Sequence, residues 1–276
     1  MEQATAIHLE EPLRMQVDQT GAGDPLILIG GGLTGWASWE PHTRRLADTR
    51  RVIRLQLVSV QFGLENRSLP ESYGVETESR AMAAALESLD VKGPLDLVAW
   101  SFGALVTLDF ALDHPSLVRT LTLIEPPALW VLPDHGRGDA DVRDSEQLFR
   151  RLSGEITEAD LAAFARAVGL VPPGTEPQDL PQWSVWMKHR RSLRNCHTVF
   201  AHADDSGRLR AFDRPVLLVT GTGTAPFLRR IHDTLAVELP SARTIEMPAG
   251  HAPQIVSMDR FLEEVTAFQA ATRQLP

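Results

Sequence analysis

From residue 25 onward, unbroken apolar runs alternate with stretches of helical spacing. Leu26-Ile27-Leu28-Ile29 is wholly apolar and stops in Gly30-Gly31-Gly32, the pattern of a strand buried on both faces. A second apolar run covers residues 52–60, a helix is predicted at about 77–89, a strand at 95–99, and a helix at 104–114 that ends at a proline. A further strand is predicted at 120–124. Strand and helix alternating at this spacing predict parallel βαβ units. After Pro126-Pro127 the rhythm breaks. Until about residue 213 the chain reads as helical, charged and tryptophan-bearing, interrupted by Pro172, Pro173, Pro177 and Pro181. It then resumes with a strand at 216–220, a helix at 225–239, a strand at 242–247 and a terminal helix at 260–273. The expected architecture is an α/β core made of residues 1–127 and 213–276. A helical cap, residues 128–212, would be inserted between strands and lie over their carboxyl ends, where open α/β sheets bind ligands. No internal repeat is visible.

Composition narrows the setting. A chain of 276 residues buries enough apolar surface to fold without staples, and its single cysteine, Cys196, forms no intramolecular disulfide, which suits a reducing compartment. A cytoplasmic location is expected. Glu2, Glu10 and Glu11 interrupt the N-terminal stretch, so no signal peptide of the usual kind is expected there, and no apolar run reaches the length of a membrane helix. The formal charge of −9 argues against a nucleic-acid partner. The local basic segment from Lys188 to Arg194 reads as a solvated helix face rather than an anion site.

The chemistry centres on Ala99-Trp100-Ser101-Phe102-Gly103, between a predicted strand and a predicted helix. In a sharp strand-to-helix turn the central residue is strained, so its neighbours two before and two after must be small, and here they are Ala99 and Gly103. Such a turn lifts the Ser101 hydroxyl clear of the sheet. An ordinary strand–helix turn shares the short pattern, and the order of the surrounding landmarks favours the nucleophile elbow. A serine is inert until a base takes its proton, and the base must be held in one tautomer by an acid. Among the nine histidines, His251 follows the last predicted strand in Pro248-Ala249-Gly250-His251, on a loop that would face the elbow.

These ordered landmarks, a strand ending in three glycines, the elbow, a cap, a strand and Gly250-His251, resemble the α/β-hydrolase superfamily over nearly the whole chain. The resemblance implies a mostly parallel, eight-stranded type of sheet with helices on both faces. It also implies Ser101 as nucleophile, His251 as base, and the backbone N–H groups of Gly32 and Phe102 as an oxyanion hole. Two departures stand out. Gly30 occupies the position where that superfamily usually carries histidine, and Thr224 occupies the usual place of the acid in Gly221-Thr222-Gly223-Thr224-Ala225-Pro226, where no carboxylate is present. Glu125, ending the strand after the elbow helix, is the expected replacement, as in the zearalenone-opening lactonases that this combination resembles. The alternative is that Glu125, before two prolines, only shapes the mouth of the cap.

The expected activity is cleavage of a carboxylic ester or lactone through an acyl-enzyme, with a hydrophobic small-molecule substrate and no cofactor. Trp183 and Trp186, three apart on one helix face, are expected with Leu33 and Trp130 to contact substrate; packing of the cap against the body is the competing reading for the tryptophan pair. Trp36, Trp39 and Trp100 add flat apolar surface near the same loops. His197, His202, Asp204 and Asp205 fall close together but match no established ligand spacing, so no metal is expected. Three alternatives remain open: a carbon–carbon bond hydrolase, a hydrolase-like ligand-binding protein, and a non-hydrolytic cyclase that would turn over without Ser101. Oligomeric state is not legible.

Overall fold

A computed structural model describes residues 13–273 except Asp90 and Lys92. The reading of the N-terminal twelve residues, His8 included, therefore lies outside the described residues. Among the described residues seven strands form one sheet, in the order β1-β3-β2-β4-β5-β6-β7. They are β1 (Gln16–Thr20), β2 (Pro25–Ile29), β3 (Arg51–Gln56), β4 (Leu95–Trp100), β5 (Val118–Ile124), β6 (Val216–Gly221) and β7 (Ala242–Met247). Only β1 runs antiparallel, against β3; the other pairs are parallel. The chain steps from β2 outward to β3 and then back across to β4, so the strand order reverses beside β4, the kind of switch point at which open α/β sheets form a crevice.

All six residues of β4 and all six of β6 are buried. That is why their sequences are continuous apolar runs rather than alternations: helices cover both faces. One face carries α1 (Glu40–Leu46), with Trp39, His42 and Phe261 packed together. The last described helix, α10 (Met258–Arg273), lies on the same face. The other face is covered by α2 (Val58–Leu64), α3 (Val75–Glu87), α4 (Phe102–Asp113) and α9 (Pro226–Glu238). At the lower end of the sheet the fully buried Asp96 accepts a hydrogen bond from Thr120 on β5 at 2.9 Å and pairs with Arg50 at 2.7 Å and Arg273 at 3.1 Å. A buried carboxylate is tolerated there because several donors share it.

The apolar run at 52–60 is not one strand. It splits after Gln56, and α2 starts at Val58 because the buried Glu78 of α3 accepts the N–H groups of Val58 and Ser59, each at 2.8 Å. A distant carboxylate thus does the work of a helix N-cap, which no local pattern predicts. The polar edge strand β1 was also absent from the expectation.

Between β5 and β6 the chain runs through α5 (Ala140–Arg151), α6 (Glu158–Ala167), α7 (Trp183–His189), a 3-10 segment (Arg190–Phe200) and α8 (Ser206–Ala211). Arg190, Arg191 and Arg194 of the basic segment converge on Glu155. Among the described residues no helix is long and apolar enough to cross a membrane.

Candidate active site

The turn after β4 has the strain expected of an elbow. Ser101 sits at φ 56° and ψ −127°, a left-handed region that non-glycine residues rarely occupy. The helix behind it presses so close to the first glycine loop that a Cβ on Gly103 would lie 2.2 Å from the Gly30 carbonyl oxygen. No side chain fits there. Gly30 is equally constrained, since a Cβ would lie 1.9 Å from the Gly35 carbonyl oxygen, so this loop excludes the histidine usual at that position.

His251 lies on the loop after β7 and is buried, with 3 % of its surface exposed. Its Nε2 is 2.8 Å from the Ser101 Oγ, and its Nδ1 is 2.8 Å from Oε2 of Glu125. Nδ1–H donating to the carboxylate leaves Nε2 free to accept the serine proton, the tautomer a general base requires. The histidine loop is held from two further sides. The Trp100 indole N–H donates to the His251 carbonyl at 2.7 Å, and the His251 N–H donates to the carbonyl of Gly169, from the segment after α6, at 2.9 Å. Trp100→Phe removes the first of these bonds while keeping an aromatic ring. Turnover is expected to fall about tenfold with little change in melting temperature, as the imidazole loses one fixed point. Steady-state kinetics beside thermal unfolding check this; an unchanged kcat speaks against the role.

Glu125 directly follows β5, at φ 49° and almost wholly buried. Its Oε1 accepts the Thr220 hydroxyl and the Gly221 N–H, each at 2.8 Å, and its Oε2 accepts the Thr224 hydroxyl as well as the His251 ring. Thr224, at the usual address of the acid, therefore donates to the carboxylate that stands beside the imidazole. Burial pushes the Glu125 carboxyl up, but His251 beside it, with the Thr224 hydroxyl and Gly221 amide, holds it below the usual glutamate value. Thr224→Val deletes one donor, and about a tenfold loss of kcat is expected; a rate equal to wild type on any ester the protein turns over would remove Thr224 from the account.

A sign follows for acid stability. A carboxyl held below its unfolded value stabilises the fold above that value and loses the contribution as pH falls through the folded one. The gap in melting temperature between wild type and Glu125→Gln should therefore narrow as the pH is lowered from about 4.3, the ordinary glutamate value. A gap that widens in that range would contradict the assignment.

Gly32 and Phe102 flank the serine: a Cβ on Gly32 would lie 3.4 Å from the Phe102 Cβ, and one on Gly31 would lie 3.3 Å from the Ser101 Cβ. Among the described residues neither the Gly32 nor the Phe102 N–H makes a backbone hydrogen bond, so both are free to donate to a ligand.

Ser101 and His251 open into a cavity of about 60 Å³, several times the roughly 10–15 Å³ that a single water needs. Its wall is largely apolar, and the core and the insertion share it: Leu33 and Trp100 from the core, Phe149, Phe164 and Phe200 from the insertion. Among the described residues no lysine or arginine lines it. Cys196 does, but burial pushes its thiol up, which leaves it protonated and a poor nucleophile.

Of the expected substrate contacts, Leu33 lines this cavity, whereas Trp130, Trp183 and Trp186 do not. Trp183 and Trp186 meet edge to face with centroids 6.4 Å apart, and Trp130 packs in the same manner against His202. Their apolar surface is used within and around the insertion. Trp39 is likewise buried against His42 and Phe261. Three residues of the group from His197 to Asp205 are engaged elsewhere: His202 pairs with Glu76 at 2.9 Å, Asp204 with Arg208, and Asp205 caps α8.

The alpha/beta hydrolase family matches residues 26–264, and the chain belongs to it. The chain is 36 % identical over 115 residues to 2-hydroxy-6-oxo-2,4-heptadienoate hydrolase of Pseudomonas putida, a match that covers 41 % of each chain. It is 25 % identical over 245 residues to a putative carbamate hydrolase, RutD, of Klebsiella pneumoniae, which covers 87 % of this chain and 89 % of that one. With the first of these relatives the chain aligns over only about two fifths of that protein's length. Among solved structures, the putative non-heme bromoperoxidase BpoC of Mycobacterium tuberculosis superposes with a TM-score of 0.71 at 21 % identity, over 96 % of this chain and 98 % of that one. The names of these relatives span three chemistries, so the family alone does not set the bond that is cleaved.

Proposed function

We propose that the chain is a serine hydrolase that cleaves a carboxylic ester or lactone of an uncharged, hydrophobic small molecule. The observation that carries this reading is the unbroken line from Ser101 through His251 to Glu125, 2.8 Å at each step, opening into an apolar cavity. In this reading His251 takes the Ser101 proton as the oxygen attacks the carbonyl carbon, and the Gly32 and Phe102 amides receive the oxyanion. His251 then returns the proton to the leaving alcohol, and a water activated by the same imidazole releases the acid. Glu125 holds the imidazole in its tautomer and stabilises it while it carries charge. In this reading the insertion acts as a cap that keeps the cavity apolar, and Glu125 serves as a displaced acid like that of the zearalenone-type lactonases the sequence resembles.

Carbon–carbon bond cleavage is the second reading, favoured by the similarity to the heptadienoate hydrolase. That protein's named substrate carries a carboxylate, and a cavity wall with no lysine or arginine among the described residues weighs against an anionic substrate here. A panel of uncharged p-nitrophenyl esters, lactones and anionic dienol-ketones, assayed side by side, separates the two. Turnover of the esters or lactones supports the proposal, and turnover of the dienol-ketones alone overturns it.

A further inference from the structure

The cavity wall holds a second group of polar side chains, apart from the serine line. Ser59 at the start of α2 and Tyr73 just before α3 both line the cavity, with 4 % and 7 % of their surface exposed. Behind them lies the fully buried Glu78. Its Oε1 accepts the Ser59 N–H at 2.8 Å and the Tyr73 hydroxyl at 2.6 Å, and its Oε2 accepts the Val58 N–H at 2.8 Å. The Ser59 hydroxyl stands beside Glu78 and Tyr73, yet its buried Oγ completes no hydrogen bond of normal geometry among the described residues.

A buried hydroxyl without a partner is costly to keep, and a ligand that satisfies it recovers the loss. The direction of the bonds decides what kind of ligand. Tyr73 has one proton and commits it to Glu78, so only its lone pairs remain, and the unpartnered Ser59 oxygen beside it has lone pairs to offer as well. An array of acceptors backed by a carboxylate takes a hydrogen-bond donor and rejects an anion. Besides Ser59 and Ser101, the wall holds one more serine among the described residues, Ser192, and its hydroxyl is already spent on the Leu33 and His189 carbonyls at 3.0 and 2.7 Å.

We propose that Ser59 and Tyr73 form a hydrogen-bond-accepting subsite that takes a hydroxyl group carried by the substrate away from its scissile carbonyl. The subsite deepens the hydrolase reading and rests on it for its role in turnover. It makes the preferred substrates hydroxylated, uncharged esters or lactones rather than plain hydrocarbons or carboxylates.

The test uses p-nitrophenyl acyl esters that differ only at the far end of the chain, ending in methyl, hydroxyl or methoxy, over a series of chain lengths. The methoxy group keeps the oxygen but has no proton to donate. At one or more lengths the wild type is expected to favour the hydroxyl ester in kcat/KM, and Ser59→Ala to lower the ratio of hydroxyl to methyl ester about tenfold. Tyr73→Phe, which keeps the ring, should lower the same ratio, and the methoxy ester should gain nothing over the methyl ester in any variant. A ratio unchanged in both variants, or no preference at any length, overturns the subsite. Calorimetric binding of the same intact esters to Ser101→Ala, with and without Ser59→Ala, reads the subsite without turnover. An absence of turnover by the wild type therefore counts against the hydrolase reading, while the binding ratio still decides the subsite.

Discussion

Ser101→Ala is expected to lower ester turnover by roughly 10⁴-fold or more while leaving the fold intact, since the nucleophile of a working triad accounts for most of the acceleration. The residue contributes its hydroxyl to His251 and little else: the elbow is fixed by Gly103 against Gly30 and by the Ser101 N–H donating to the Ile124 carbonyl at 2.8 Å, both of which survive the change. The melting temperature should stay within a few degrees of wild type. The alternatives part company here. A cyclase on this fold would not need Ser101, and a ligand-binding relative would show no turnover to lose but would still be stabilised by its ligand. Turnover measured on matched preparations separates these outcomes, and an undiminished rate in Ser101→Ala would remove the acyl-enzyme from the account.

Glu125→Gln is the second large effect, expected to cost roughly 10³- to 10⁴-fold in kcat, as replacing the carboxylate by its amide leaves the shape but lets the imidazole adopt the wrong tautomer. The surroundings make the change informative. Oε1 of Glu125 receives Thr220 and Gly221, and Oε2 receives Thr224 and His251, so all of its near partners donate. An amide nitrogen placed at either oxygen must face a donor, and the neutral group no longer stabilises the charged imidazole. A rate within about tenfold of wild type would return Glu125 to a structural role at the mouth of the insertion.

What was legible in the sequence follows from what is local. Leu26-Ile27-Leu28-Ile29 and Leu95 to Ala99 read as strands because strands buried on both faces are apolar throughout. Ser101, Glu125 and His251 were found from their order along a chain of strands and helices, and the structure places the three side chains in contact. The polar β1, an edge strand with one neighbour, carries no such mark. The start of α2 depends on Glu78, some twenty residues further on, and the grip of Trp100 on the His251 carbonyl joins residues 151 positions apart. Trp130, Trp183 and Trp186 were expected in the substrate site because an aromatic face signals burial, but the sequence does not say against which surface. Ser59 and Tyr73 left no signal because a serine in an apolar run and a lone tyrosine acquire meaning only from the carboxylate behind them.

In the proposed reaction one serine, activated by His251, attacks the substrate. Fluorophosphonate labelling followed by peptide mapping tests it most directly, on wild type, His251→Ala and Glu125→Gln at equal concentration. A single adduct is expected, on Ser101, forming readily in wild type, slowly in Glu125→Gln and not measurably in His251→Ala. A folded wild-type protein that stays unlabelled, or an adduct on another residue, would contradict it.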